Sequence, residues 1–340
     1  MDKRLKKNMG PILSIGITSY KRVNELIRCI NSIDTKYVDD LEIIVSEDCS
    51  PLSKEIGDAV AKLQSKSQYP IRFMPNKLNL GYDGNLGAII KKASGRYIFF
   101  MSDDDALYDG ALDIIIPFLK GNKDNYGVMY APFVYTPSMK KDRYHGNSDF
   151  SILAGEGSAA NFIYDSILFS GLIFRKEFVS GFDAGLFKNM NYFQVYLFLK
   201  MLYHYGGYYF AFPSVLCVGD GENAYGFSES SGGNKALQDR KSVISNLEFN
   251  KTLIKVIRLF DEEEGTHVFS SFQKQYSIHS YSGLSIARGS GIDYFKEYWK
   301  KLNLLDIKLH PITKIYYWTL LVFGSRITNS LTSGFRKLLK

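Results

Sequence analysis

Cysteine is scarce in this chain, with 3 among 340 residues, at positions 29, 49 and 217. No two are spaced as Cys-x-x-Cys, so neither a disulfide framework nor a zinc cluster is indicated, and a reducing cytosol suits the chain. No apolar run approaches the ~20 residues that cross a bilayer. The basic N-terminus MDKRLKKNMGPILSIG lacks the long apolar stretch and cleavage site of a signal peptide. No Gly-x-Gly-x-x-Gly follows the first candidate strand and no Walker A lysine motif occurs, which speaks against a dinucleotide dehydrogenase and a P-loop enzyme. Histidine is sparse as well, at His145, His204, His267, His279 and His310. A lone histidine is more often structural than catalytic, and His204 falls on an aromatic helix and reads as core.

Aromatic residues, by contrast, are abundant: 24 Tyr and 24 Phe, with only 2 Trp. Most will be core, but hydroxyl-bearing rings also suit a surface that holds a polar, carbon-rich ligand. At 45% hydrophobic and 23% charged the composition is that of an ordinary globular protein. The net charge of +7 is concentrated at the end. Residues 301–340 hold seven Lys and Arg against one acid, Asp306. A basic tail on a near-neutral body weakens any reading as a nucleic-acid binder.

Along the first 120 residues two periodicities alternate. Ile12–Ile17, Leu41–Val45, Ile71–Phe73 and Tyr97–Met101 read as strands. Helical spacing follows at Val23–Ile33, 53–66 and 83–93. Strands alternating with helices imply βαβ units and a largely parallel sheet, whose strand C-termini share one ligand-binding edge. Beyond 120, Val128–Tyr135, Ser170–Phe174 and Tyr208–Val218 read as strands and Tyr192–Tyr203 as a buried helix. Residues 219–234 are rich in Gly and Ser and read as a flexible loop that closes over a ligand. Residues 236–260, 266–285 and 292–303 read as helices.

Four short segments could carry chemistry. Ser102-Asp103-Asp104-Asp105 follows a wholly apolar strand. Three adjacent carboxylates need a compensating cation or good solvation, and a divalent ion shared with phosphates is the usual use of such a group. Taken alone it is also a solvated acidic turn. Thr18-Ser19-Tyr20-Lys21-Arg22 ends the first strand, where helix-start amides and nearby cations suit an anion, or where Thr18 or Ser19 simply caps the helix. Ser46-Glu47-Asp48 ends the second strand, placing an acid where dinucleotide folds bind ribose, or a cap for the next helix. Asn79-Leu80-Gly81-Tyr82-Asp83-Gly84-Asn85 is a turn whose glycines allow close backbone approach.

Together, in this order, SIGITSYKR, LEIIVSEDCS, NLGYDGN and ASGRYIFFMSDDD resemble the family 2 glycosyltransferases. They are most similar to the bacterial branch that builds O-antigen and related surface polysaccharides, including abequosyltransferase-like enzymes. The resemblance covers about residues 11–115. It implies the GT-A nucleotide-sugar fold, an α/β fold with a mostly parallel Rossmann-like sheet flanked by helices, here with a helical C-terminal extension. It divides the chain into a donor-binding half at 1–120, an acceptor-binding half at 121–235 and a helical region at 236–340. Thr18, Tyr20 and Asp48 match positions around the nucleotide, with Arg22 close by. Asn79, Gly81 and Asn85 match the turn beside the donor. Asp104 matches the metal-binding acid, with Asp103 toward ribose and Asp105 toward a Mg²⁺ or Mn²⁺ ion.

The resemblance further implies metal-dependent, inverting transfer from a nucleotide-diphosphate sugar to a saccharide or lipid-linked saccharide. One departure stands out. Members supply a general base from a Glu-Asp pair at the start of an acceptor-side helix, and here that helix begins Asn191-Tyr192-Phe193 with no carboxylate. Asp183 is the first substitute, with Asp165, Glu177 and Glu222 as others. If no base exists, the chain is a silent binding or scaffold subunit. A nucleotidyltransferase on a related fold is a further alternative, poorly matched by SYKR. The tail 312–340 combines Tyr, Trp, Leu and Phe with Lys and Arg. It suits a helix lying on an anionic membrane surface, hence a cytoplasmic protein peripheral to the inner face. The alternative is a helix packed on the body or on a second subunit of an oligomer.

Overall fold

The apolar run near the N-terminus forms strand β1 (Leu13–Ser19), every residue of which is buried. A strand buried on both faces belongs in the middle of a sheet covered by helices. In the computed structural model, which describes residues 10–121, 125–218 and 240–338, β1 pairs in parallel with β2 (Leu41–Glu47) and with β4 (Tyr97–Ser102). Strand β3 (Ile71–Pro75) extends the sheet beyond β2. Helices α1 (Val23–Asn31), α2 (Ser53–Gln64) and α3 (Gly81–Lys92) supply the crossovers. Gly16 is required where α3 crosses β1, because a Cβ there would collide with the Ile89 side chain.

The expected helix at 53–66 ends at Gln64, and that at 83–93 begins two residues earlier, at Gly81. The expected strand Ser170–Phe174 is shorter, as β10 (Ile173–Arg175). It runs antiparallel between β4 and β6 (Val128–Tyr130). The large sheet has the order β3-β2-β1-β4-β10-β6-β11-β9, where β9 is Phe150–Ile152 and β11 is Gly207–Tyr209.

Two expected strands are each cut in two. Val128–Tyr135 divides into β6 and β7 (Phe133–Tyr135), and Tyr208–Val218 into β11 and β12 (Val215–Cys217). The first member of each pair lies in the large sheet. The second lies in a four-stranded sheet of order β5-β12-β7-β8, where β5 is Ala106–Leu107 and β8 is Lys140–Asp142. Pro132 and Pro213 occupy the breaks; a residue without N–H cannot continue a ladder, so the chain leaves one sheet and enters the other.

Helices α4 (Ala111–Gly121), α5 (Glu156–Phe162), α6 (Lys176–Val179) and α7 (Phe193–Tyr205) complete the first part. The first ten residues of α7 are all buried. His204, expected in the core, is exposed, because the last turn of α7 emerges from the packed layer.

The chain divides into two compact units, Met1–Tyr225 and Gly226–Lys340. In the second, α8 (Arg240–Glu264), α9 (Val268–His279), α10 (Tyr281–Gly289), α11 (Ile292–Leu302) and α12 (Pro311–Leu338) pack together. The expected helix 266–285 is interrupted at Ser280. Helix α12 breaks at Gly324, whose φ of 71° is left-handed, a conformation glycine adopts without steric cost. Among the described residues no helix is long and apolar enough to cross a membrane. The glycine-serine segment at 219–234 lies outside the described residues.

Candidate functional site

The chain runs β1, β2, β3 toward one edge of the sheet, then returns to place β4 on the other side of β1. Open α/β sheets bind ligands at such a reversal, outside the carboxyl ends of the strands. Thr18, near the end of β1, is level with Ser46 on β2 and Ser102 on β4. The acidic turn and the Thr18–Arg22 segment therefore flank one crevice.

Across that crevice the two segments are joined. The Tyr20 N–H donates to Asp103 Oδ2 over 3.2 Å, and Arg22 Nη1 donates to Asp103 Oδ1 over 2.8 Å. The same guanidinium nitrogen lies 3.2 Å from Asp104 Oδ2. Burial lowers the Arg22 pKa and the two carboxylates raise it, with a net rise. Helix α1 fixes the turn from below: Arg28 Nη2 donates to the Asp104 carbonyl over 2.8 Å, and Ser32 Oγ accepts from Leu107 N. No side chain caps α1, whose N-cap is Arg22, so neither Thr18 nor Ser19 serves that purpose.

The three adjacent acids are not equivalent. Asp103 is buried, which pushes its pKa to about 7 although Arg22 pulls the other way. Asp105 is also buried, and its pKa is raised by burial and by the charge of Asp104. It faces the small sheet, where Ser170, the Cys217 thiol and the Val218 N–H donate to it. Asp104 is the open one, with its side chain 17% exposed. Its other oxygen accepts from Ser102 Oγ.

A second knot lies at the end of β2. Asp48 accepts from the N–H groups of Leu80 (2.8 Å) and Gly81 (2.9 Å) and from Asn76 Nδ2 (3.1 Å). Burial raises its pKa, and these donors oppose the rise. Asn79 Nδ2 donates to the Asp48 carbonyl, Asn76 Nδ2 also reaches Asn85 Oδ1, and Asn85 Nδ2 donates to the Ser46 carbonyl. Asp48 thus caps α3 rather than α2, the helix that directly follows it. Gly81, with φ of 72°, starts α3 in a left-handed turn.

Left-handed backbone also occurs at Lys21 (φ 61°) and Cys49 (φ 55°), the residues that turn the chain after β1 and β2. Non-glycine residues are strained there, and such strain collects at ligand-binding edges. Among the described residues, the buried hydroxyls of Ser19, Ser46 and Ser50 and the Glu47 Oε2 atom have no hydrogen-bond partner. Buried polar atoms are nearly always paired, so a cluster of unmet ones at this edge leaves capacity for a polar ligand.

Among the described residues Asp183 hydrogen-bonds to neither knot, although the turn it begins packs on α3 at Gly87. It is exposed and accepts from the Gly185 N–H over 2.9 Å, capping a short 3₁₀ turn at Ala184–Phe187. The helix start that lacks a carboxylate of its own receives one from elsewhere. Asp83 is buried and accepts from the N–H groups of Asn191 (2.8 Å) and Phe193 (2.9 Å) at the start of α7. Burial raises its pKa, against these backbone donors.

Several residues of the site carry no sequence signal. Ser170 accepts from Ser102 N over 3.0 Å, and its carbonyl accepts from Arg143 Nη1 over 3.0 Å. Ser170 and Cys217 reach Asp105 from distant parts of the chain, and Arg143 holds the Ser170 carbonyl.

The arrangement is that of the open α/β proteins, whose ligands bind in the crevice outside the carboxyl ends of the strands. The particular family follows from comparison. The model of the glycosyl transferase family 2 matches residues 14–187, half of the chain, and the chain belongs to that family. A GalNAc(5)-diNAcBac-PP-undecaprenol beta-1,3-glucosyltransferase of Campylobacter jejuni is 34% identical over 106 residues, 31% of this chain and 34% of the relative. Abequosyltransferase RfbV of Salmonella typhimurium is 31% identical over 117 residues, 34% of each chain. The chain thus matches these curated relatives over about a third of their length.

Solved structures extend the likeness over nearly the whole chain. Residues 1–349 of S. aureus TarS in complex with UDP-GlcNAc align over 95% of this chain and 92% of that one, at 13% identity and a TM-score of 0.51. A mannosyltransferase from Pyrobaculum calidifontis in complex with GDP-Man and Mn²⁺ aligns over 94% and 88%, at 12% identity and a TM-score of 0.51. At such identities the likeness is one of fold, and the fold is the GT-A arrangement expected from the four segments.

Proposed function

We propose that this protein transfers a sugar from a nucleoside-diphosphate sugar to a hydroxyl of a saccharide or lipid-linked saccharide in bacterial surface-polysaccharide synthesis. The observation that carries the reading is the bridge from Tyr20 and Arg22 to Asp103 and Asp104 across the sheet reversal. In this reading, residues 1–120 bind the donor and 121–235 the acceptor. Thr18, Tyr20 and the Asp48–Asn79–Gly81–Asn85 knot shape the nucleoside end, Asp103 faces ribose, and Arg22 offsets charge on the donor's phosphates.

The donor set suits a hard divalent ion such as Mg²⁺ or Mn²⁺, since it consists of carboxylate oxygens. Among the described residues no three His, Cys, Asp or Glu side chains converge to enclose an ion. Asp104, the open carboxylate, and Asp105 would hold it together with oxygens of the diphosphate. Such an ion, when bound, neutralises charge on the departing nucleoside diphosphate. Direct displacement at the anomeric carbon makes the reaction inverting. The test is a thermal-shift screen of nucleotide sugars with each metal, followed by nucleotide release. A donor at about 100 times its Kd adds ~2.7 kcal/mol of apparent stability. Binding without any turnover would instead identify a silent binding subunit.

The second unit supports a membrane location. On α12 Ile315, Trp318, Val322, Phe323 and Ile327 are each more than half exposed, and Lys314 and Arg326 are exposed beside them. The opposite face is packed: Leu320 is buried, and Tyr317 stacks on Phe295 and Trp299. One face builds the unit, and the other offers an apolar stripe flanked by cations. Such a stripe suits an anionic lipid surface, and it supports the reading of a protein peripheral to the inner face of the membrane that uses a lipid-linked acceptor. Replacing Trp318 and Val322 with serine lowers co-sedimentation with anionic liposomes at low salt and leaves melting unchanged. Self-association lost in the same variant, without any liposome binding by the parent, would mark the stripe as a subunit contact instead.

A further inference from the structure

The inference below rests on the glycosyl-transfer reading, and it concerns the proton that the acceptor hydroxyl must lose. Asp183 accepts from the Gly185 N–H and Asp83 from the start of α7, and a third group stands on the acceptor side of the strand-end edge. His145 Nε2 lies 2.7 Å from Asp165 Oδ2, and Tyr130 Oη donates to the same oxygen over 2.8 Å. The backbone N–H of His145 donates to Tyr209 Oη over 3.1 Å. The imidazole is held edge-on by Tyr209, Phe162 and Phe150, with centroids 5.1, 5.3 and 6.3 Å away. We propose that His145 is the base that accepts the acceptor's proton, and that Asp165 is its positioning residue.

The atoms support that division of labour. A carboxylate only accepts, so Asp165 holds the proton on Nε2 and leaves a lone pair on Nδ1. Among the described residues Nδ1 makes no hydrogen bond. The His145 side chain is 31% exposed and that of Asp165 only 10%. A buried acid behind the ring and an open nitrogen in front is the arrangement of a base held by an orienting group.

The location agrees. Tyr130 and Tyr209 end β6 and β11 and pair with each other. Strand β10 is antiparallel to both β4 and β6, so β6 runs parallel to β4 and ends at the same sheet edge as the acidic turn. Two inter-strand steps separate β4 from β6, about 10 Å, and the imidazole packs on β11 and β9, one and two steps further along the sheet. Arg143, two residues before His145, donates to the carbonyl of Ser170, which also contacts Ser102 N and Asp105. The pair therefore sits on the acceptor half of the edge that carries the donor acids.

The step balances. The acceptor O–H proton passes to Nδ1 as the oxygen's electron pair forms a bond to the anomeric carbon. The bond from that carbon to the diphosphate oxygen breaks, and its electrons leave with the nucleoside diphosphate. The imidazolium that results is offset by Asp165. Other titratable and charged groups around the ring are Tyr130 and Tyr209 on the large sheet, Arg143 and Tyr144 on its own segment, and Asp149 near Tyr209. Its hydrogen bond to Asp165 raises the His145 pKa against the effect of burial. The neutral base is therefore lost as pH falls through a value above the ordinary 6.5.

The experiment uses the full chain, the donor found in a screen of UDP-, GDP-, CDP- and dTDP-sugars, and water as the acceptor, read as nucleotide release. His145→Gly lowers kcat by ~10²–10⁴-fold, leaves donor affinity within about twofold, and regains rate when imidazole is added. Asp165→Asn moves the acid limb of the pH profile down toward pH 6.5 rather than abolishing it. If His145→Gly fails to bind donor, His145→Gln replaces it, and loss of the acid limb becomes the readout. A kcat retained in the histidine variants, or an unchanged acid limb, overturns the proposal. No nucleotide release by the parent protein from any donor defeats the glycosyl-transfer reading instead, so the two failures are distinguishable.

Discussion

At the amino edge of the large sheet, Glu42 is buried yet fully supplied with donors. Ser14 Oγ reaches it over 2.5 Å, Ser94 N over 2.6 Å and Arg72 Nη1 over 3.0 Å. Burial works against its charge, but these three partners outweigh it and the pKa falls below the ordinary value. At the carboxyl edge, Asp103, Asp105, Asp48 and Asp83 are buried too, and burial wins at each, so each pKa rises. Glu42 and Asp48, buried to a similar depth, thus shift in opposite directions, while Asp83, Asp103 and Asp105 lie deeper. At the amino edge the donors outweigh burial, whereas at the carboxyl edge burial outweighs the donors that each acid also has. Perturbed acids of the second kind mark functional sites.

The largest effect expected from this contrast is on catalysis at the carboxyl edge. Asp104→Asn removes the open charge with little change of volume. Nucleotide release falls by ~10²–10³-fold, while the melting temperature stays within a degree or so of the parent. Full activity with unchanged metal dependence would remove Asp104 from the donor site.

Next in size is the loss of stability at the amino edge. Glu42→Gln leaves Ser14, Ser94 and Arg72 around a neutral amide and costs ~1.5–3 kcal/mol at pH 7, with the activity of the folded fraction unchanged. Because the folded-state pKa is lowered, this stability is present above the unfolded value of ~4.3 and is lost as pH falls through the folded value. Denaturant titrations of both proteins at pH 7 and pH 3 therefore converge at the lower pH. A constant gap would show that the carboxylate charge contributes nothing.

The smallest effect has the opposite sign. Asp105 has a raised pKa, so its contribution to stability is present below the unfolded value of ~3.9 and is lost as pH rises through the folded value. Asp105→Asn removes that loss and raises the melting temperature of the ligand-free protein by a few degrees at pH 8, but not at pH 4, at the expense of donor turnover. A lower melting temperature at pH 8 would mean that the donors from Ser170, Cys217 and Val218 make Asp105 a structural acid like Glu42, and the contrast between the edges would narrow to Asp103 and Asp104.

Local sequence determined much of the first hundred residues. The runs at 12–17, 41–45, 71–73 and 97–101 became β1 to β4, because short apolar segments between helical periods have few alternatives to a covered parallel sheet. Four motifs at strand ends were legible for the same reason: chain order alone brings strand ends to one edge. Only the tertiary structure decided what each acid does there. Asp48 turned to α3, Asp83 to α7, Asp105 to Ser170 and Cys217, and Glu42 to Ser14 and Ser94, and these partners lie 28 to 112 positions away in the chain. Two prolines divided single apparent strands between two sheets, and the pairing of His145 with Asp165 joins segments 20 positions apart. A pKa depends on distance through space and on burial, and neither is written in the spacing of a sequence.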